Sequence, residues 1–464
     1  MTYLKSFLAA ASLAIGTATL LFSGVSTSAQ DGAASLSTRM QDAARAGGGV
    51  VRLEPNQRLV VNDGVVLPRG VTLDLAGGEL VAVLRSTNAA GVRMLSGSAI
   101  RNGTVSVISR GTPGEQSGAH AAILVGALYS ENASPARMSP FAAPSDWRIS
   151  GVSVRSDKTS GAAGIQIMGG ANRGLIENVT VLDSDRMAGG IMLDWGTVGP
   201  VSSADVRGTA AAFARGQGWT THPHDIDIRG VKIGRLTRSA GSGGGSVAVR
   251  LSGVHDMRVS GVVVEEVTQA GVIHHAGDLG YEFARAADAP RAHQGIVVEN
   301  IDIRRTAQYV VWSDSHADNV ARAANEGYRP RLAPIAATDI AFRQISGNAS
   351  PRSIAQYGIR VNHQRGGSFS DIRVSGFDFG FFIDEQVYGL YIVRPYADES
   401  RRAAYSIGHP SRPPQDIRVS NPRSSGSSDG SNLVYIGNSA DVRVVGAKAL
   451  RARIAPSARR AKVD

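Results

Sequence analysis

The chain has 464 residues, no cysteine, 55 glycines and a formal net charge of +10. The missing cysteines exclude a disulfide framework, a thiolate metal site and a cysteine nucleophile. The cationic balance favours anionic partners, and it bears on solubility and encounter rather than on fold.

Residues 1–29 are expected to be an export segment. Lys5 supplies a basic start, residues 7–22 are an apolar run, and Thr27, Ser28 and Ala29 are small residues that place cleavage before Gln30. Gly16, Thr17 and Thr19 interrupt the run, which is short for a membrane span. Its loss removes one cation, Lys5, and leaves a balance of +9. The expected location is the periplasm or the medium of a Gram-negative bacterium, with no membrane insertion after processing. Nucleic acid is a poor partner there, and an acidic polysaccharide is a good one.

From Gln30 to Arg45, Leu36, Met40, Ala43 and Ala44 have helical spacing, and Gly47, Gly48 and Gly49 end the run. A helix here would cover the open end of whatever sheet follows. Then a phrase keeps returning. It reads AIRNGTVSV (99–107), WRISGVSV (147–154), GLIENVTV (174–181) and DIDIRGVKI (225–233), then DMRVSGVVV (256–264), GIVVENIDI (295–303), DIRVSGFDF (371–379) and DVRVVGAKA (441–449). Alternating apolar and polar residues give strands with one buried face. The Gly or Asn in mid-phrase suits a bend that needs positive φ. One bent strand pair cannot bury its apolar face alone, so the repeats must stack as coils of a solenoid.

GGGVVRLEPN (47–56) and LPRGVTLDLAGGEL (67–80), followed by the repeated phrase, resemble the opening of the pectin-lyase-like superfamily. The resemblance covers nearly the whole chain after residue 29. It implies an all-β fold: a single right-handed parallel β-helix over residues 30–448, with an N-terminal capping helix and loop insertions. It also implies a polysaccharide-lyase, polygalacturonase-type hydrolase, alginate epimerase, tailspike or adhesin function. Fold alone does not choose among these.

A second strand set alternates with the first, including GIMLDWG (190–196), VAVRLSG (247–253), GVIHHAGD (271–278), QYVVWSDS (308–315), YGIRVNHQ (357–364) and GFFIDEQ (380–386). Each starts apolar and ends polar, so stacking in parallel lines up the polar ends at about 4.8 Å per coil. Insertions at 127–147, 197–224, 277–293 and 316–335 would wall a groove on one flank. The Arg-rich residues 449–464 are expected to form a flexible tail.

The polar ends supply the candidate site. Asp314, Asp384, Glu385, Asp194, His363 and His275 are the candidate catalytic groups, since carboxylates and histidines move protons. Trp195, Arg250, His274, Trp312, Asn362 and Arg365 are the candidate substrate-binding groups. Trp stacks on sugar rings, and the planar Arg fork matches a uronate carboxylate. Asp314 and Asp384 fall two coils apart, about 9–10 Å, at the wide edge of the roughly 6.5–9.5 Å span of an inverting hydrolase. Hydrolysis by these carboxylates is the first reading. Uronate elimination or C5-epimerisation through the histidines is the second, and a non-catalytic polysaccharide binder or adhesin the third. The phrases usual in polygalacturonase-type hydrolases are absent. HPHD (222–225) is similar to a four-residue phrase in the active site of periplasmic alginate epimerases, which makes His224 and Asp225 minor candidates. No cofactor is expected, and calcium enters only on the lyase reading.

Overall fold

The structure is a computed structural model that describes residues 26–112, 118–128, 131, 139, 141–157, 163–194, 222–239, 244–275, 295–314, 340–351 and 355–464. The expected export segment lies outside these up to residue 25. So do nearly all of the insertions at 197–224, 277–293 and 316–335. Among the described residues, twenty-one strands form one sheet and thirteen the other, called sheets A and B below. Within each, a strand pairs in parallel with strands of neighbouring coils. The result is a parallel β-helix.

The repeated phrases lie on sheet A, except that Phe379 at the end of one opens a strand of sheet B, and their central residue has positive φ in every case, from Asn102 (58°) through Gly230 and Gly261 (63° each) to Gly446 (74°). Several phrases carry a second left-handed residue at their start: Asp225, Asp256, Asp371 and Asp441 have φ of 50–55°. Asp adopts this region more readily than most side chains. The phrase therefore encodes a corner, a short strand, a bend and another strand.

Between the bends, alternation sends every second side chain inward. Ile228, Val259, Val298, Phe342, Phe369, Ile392, Val419 and Val444 are register partners on successive coils. All are buried in one continuous core. The Phe342 and Phe369 rings stack at 4.7 Å between centroids. Each such side chain contributes roughly 1.5–3 kcal/mol when removed from water. Rows of this kind hold the solenoid together without disulfides.

The helix Ser26–Arg45 packs beside the strands Gly49–Arg52 and Arg58–Asn62. Leu36 and Met40 enter the common core. Among the described residues no helix is long and apolar enough to cross a membrane.

Residues 449–464 depart from the expectation of a flexible tail. Arg451–Ile454 pairs with Leu433–Ile436, and Lys462–Val463 pairs with Ala440–Val445. The backbone continues the ladder even though the side chains are largely exposed, because parallel pairing needs only main-chain groups.

Candidate active site

The outward face of sheet B carries three rows of side chains in register. The first is aromatic. Tyr309, Tyr357 and Phe379 occupy successive strands, their rings stacked at 5.7 and 5.5 Å. The second is Arg250, Ile273, Trp312, Arg360 and Phe382. Trp312 stacks on Tyr309 at 5.2 Å. The third begins Ser252, His275, Asp314. It continues through Asn362 and Asp384, which directly follow the paired residues Val361 and Ile383. Residues at i and i+2 share a face, so Trp312 with Asp314, Arg360 with Asn362, and Phe382 with Asp384 all project to one side.

Asp314 and Asp384 therefore stand two rungs apart on one row, with Asn362 between them. Asn362 Nδ2 donates to Asp314 Oδ2 at 3.2 Å. Arg360 Nε donates to Asn362 Oδ1 at 3.2 Å, and Arg360 Nη2 donates to Asp384 Oδ2 at 3.3 Å. Arg360 Nη1 also reaches the Tyr309 hydroxyl at 3.4 Å. One guanidinium thus ties the aromatic row to Asp384 directly and to Asp314 through Asn362.

His363 leans the other way. Its Nδ1 lies 3.0 Å from Asp314 Oδ1, and its Nε2 lies 3.6 Å from Glu385 Oε1. Its φ of 44° is left-handed. A side chain holding such a conformation marks a position fixed by its surroundings. Glu385 also accepts from Arg412 Nη1 at 2.7 Å and lies 3.9 Å from His409 Nε2.

Burial and charge set the protonation of these groups. Burial raises the Asp384 pKa above the ordinary carboxylate value, and the nearby charges of Arg360 and His409 only partly offset it. Burial opposes the His363 imidazolium, but the hydrogen bond to Asp314 and the charges of Asp314 and Glu385 outweigh it, so the His363 pKa is raised. The row thus holds a carboxyl whose pKa burial raises and, two rungs away, an aspartate contacted by Asn362 and His363.

The other expected site residues fall variously. His275 is on the Asp314 row, with its ring edge-on to Trp312 at 4.8 Å. Asp194 ends the strand Gly189–Asp194, three rungs before Asp314. Arg250 is two rungs from Trp312. Trp195 lies outside the described residues. Two expectations are corrected. His274 faces the interior: it is a register partner of Leu251 and Ser313, its Nδ1 is 2.9 Å from Ser313 Oγ, and its ring meets Phe342 in the core. Adjacent strand residues point to opposite faces, so only one of His274 and His275 can reach the outward face of sheet B. Arg365 belongs to sheet A, where it is exposed with its guanidinium 5.8 Å from the Tyr388 ring centroid.

The sequence reading passed over Arg360, Tyr309, Tyr357 and Arg412. Alternation within YGIRVNHQ held the signal for Arg360, two residues before Asn362 on the same face. In HPHD, His224 stacks on His255 at 4.8 Å on sheet A, and no described contact joins it to Asp314. Among the described residues no group of three or more His, Asp or Glu is arranged to hold a metal ion.

No family model matches the chain, and no curated protein matches it in sequence. Solved structures resemble it in backbone course. A mutant tailspike protein of E. coli bacteriophage HK620, in complex with a pentasaccharide, aligns over 89% of this chain and 67% of its own at 10% identity and a TM-score of 0.48. The A-module of the mannuronan C-5 epimerase AlgE6 from Azotobacter vinelandii aligns over 92% and 93% at 11% identity and a TM-score of 0.39. PfbA, a surface adhesin of Streptococcus pneumoniae, aligns over 85% and 84% at 13% identity and a TM-score of 0.39. The stacked parallel sheets of this chain fit the pectin-lyase-like fold.

Proposed function

We propose that this protein is an exported enzyme that hydrolyses a glycosidic bond in an acidic polysaccharide with inversion. The observation that carries the reading is the row Asp314, Asn362, Asp384 on the outward face of sheet B, with the two carboxyls two rungs apart. That spacing of about 9–10 Å leaves room for a water molecule beside the sugar. Asp384, whose pKa burial raises, donates its proton to the leaving glycosidic oxygen. Asp314 takes a proton from the water that attacks the anomeric carbon. The glycosidic C–O bond breaks as the new C–O bond forms on the opposite face, and the two carboxyls exchange protonation states before solvent resets them.

The neighbours suit these roles. Asn362 and His363 orient Asp314 through contacts at 3.2 and 3.0 Å. Trp312, half-buried on the outward face, offers aromatic surface to a sugar ring, and Tyr309 stacked on it at 5.2 Å holds it in place. Arg250 Nε and Trp312 Nε1 are buried donors with no hydrogen-bond partner among the described residues, and a glycan oxygen would satisfy them. The raised His363 pKa weighs against its use as the base of an elimination, because a base must be unprotonated. The interior position of His274 removes a second histidine from that chemistry.

The test is digestion of a panel of uronate-containing polysaccharides by the purified protein. New reducing ends of inverted anomeric configuration, without ultraviolet absorption from an unsaturated uronate, are expected. Unsaturated products would replace hydrolysis by elimination. Binding to a polymer that stays chemically unchanged would replace it by the adhesin reading.

A further inference from the structure

The charge of this chain is concentrated at one end of the stack. Residues 401–464 carry twelve Arg and Lys against four Asp and Glu, a balance of +8 within the +10 of the whole sequence. Most of these cations are exposed, and register puts three of them in line. On sheet A, Tyr391, Arg418, Arg443 and Lys462 are partners on four successive coils. Their strand neighbours Leu390, Ile392, Ile417, Val419, Val442 and Val444 are all buried, so parity directs the four outward. Tyr391 is 48% exposed, and the Arg418 guanidinium lies 5.9 Å from its ring centroid. Earlier on the same row, Arg258 is paired with Glu299, and Val297 and Ala341 carry no charge. The cationic run starts only after Tyr391.

We infer that this row is a rail for an acidic polysaccharide chain, separate from the carboxylate row on sheet B. An aromatic ring followed by one cation per rung, about 4.8 Å apart, suits an extended polymer that carries one carboxylate per sugar. The ring takes a sugar face and the cations take successive carboxylates. The existing partners of the rail are weak competitors. Arg418 is 3.3 Å from Asp416 and Lys462 is 2.8 Å from Asp464, both pairs being largely exposed and cheap to exchange. Arg443 has no ion-pair partner among the described residues. Tyr391 is on the same coil as Asp384, seven residues on and past the corner. A polymer leaving the carboxylate row can therefore follow the coil onto the rail. The polysaccharide occupant rests on the function proposed above; the geometry and charge of the rail do not.

The experiment uses the full chain carrying Asp384→Asn, so that the polymer is not consumed, and polygalacturonate as the probe. Arg418→Gln, Arg443→Gln and Lys462→Gln together are expected to weaken binding at least tenfold and to flatten its dependence on salt. Arg69→Gln, Arg148→Gln and Arg155→Gln remove the same charge from exposed positions elsewhere and are expected to change affinity less than twofold. Equal losses in both triple variants would mean that net charge alone attracts the polymer, and would overturn the rail. Preferential binding to phosphatidylglycerol vesicles over polygalacturonate would overturn the polysaccharide occupant. With Asp384 restored, the rail variant is expected to cleave short oligosaccharides at the normal rate and to lose kcat/KM only on long polymer. If the unaltered protein cleaves nothing, the binding comparison still decides the rail while hydrolysis fails.

Discussion

His363 Nδ1 lies 3.0 Å from Asp314 Oδ1, one coil back along the stack, while its own backbone N–H donates to the Glu385 carbonyl one coil forward at 2.7 Å. One residue thus fixes the geometry of three coils at the point where the carboxylate row meets the corner. The pairing also makes the site sensitive to pH.

His363 has a raised pKa in the folded state, so its charged form stabilises the fold. That contribution is complete below the unfolded pKa of about 6.5 and is lost as pH rises through the folded value. His363→Asn keeps a residue that tolerates positive φ and removes the charge. Its melting temperature is expected to fall below that of the unaltered protein at acidic pH and to converge with it at alkaline pH. A deficit independent of pH would show that the imidazolium has no part in it.

Asp384→Asn and Asp314→Asn are each expected to lower kcat by about 10²–10⁴, the usual contribution of a positioned acid or base. Melting temperatures are expected to stay within a few degrees, since the shape of the side chain is kept. Activity within tenfold of normal in either variant removes that residue from the mechanism.

Arg360 lowers the Asp384 pKa by its charge, against the larger effect of burial. Arg360→Met removes that restraint, so the Asp384 pKa rises further. The alkaline limb of the kcat/KM profile, where the acid loses its proton, is expected to move to higher pH. Loss of the tie to Asn362 also lowers the maximum. A limb that moves to lower pH would assign the acid elsewhere.

Gly174 makes room for the buried Trp147 ring: a Cβ at this glycine would sit 2.0 Å from Trp147 Cζ2. Gly174→Ala is expected to destabilise the fold by roughly 1–3 kcal/mol, as overpacking does. Chemical denaturation measures it, and an unchanged midpoint would mean that the ring has space to move.

The coil pattern was readable in residues such as Asn102, Gly230 and Gly261, because a bend that needs positive φ selects its own residue type. That Asp314 and Asp384 share one row was readable too, since each stands at the polar end of a strand of the same set. His274 was misplaced because strand side chains alternate with a period of two, so an uncertainty of one residue turns an outward residue into a core residue. Arg365 was misplaced because the chain turns a corner after Asn362 and enters sheet A. Arg360 was passed over although its parity matches that of Asn362. Arg412 had no local signal, because it reaches Glu385 from the next coil across a turn of irregular length.

By itself the sequence determined that the chain stacks, where each coil bends, and which strands carry polar ends, because these follow from local φ preference and apolar alternation. Only the tertiary structure decided which side chain of each polar end turns outward, that Arg360 joins Tyr309, Asn362 and Asp384, and that three cations from separate coils form one line. Those facts depend on register between coils, and register is set by how many residues each corner consumes, a count that no local pattern records.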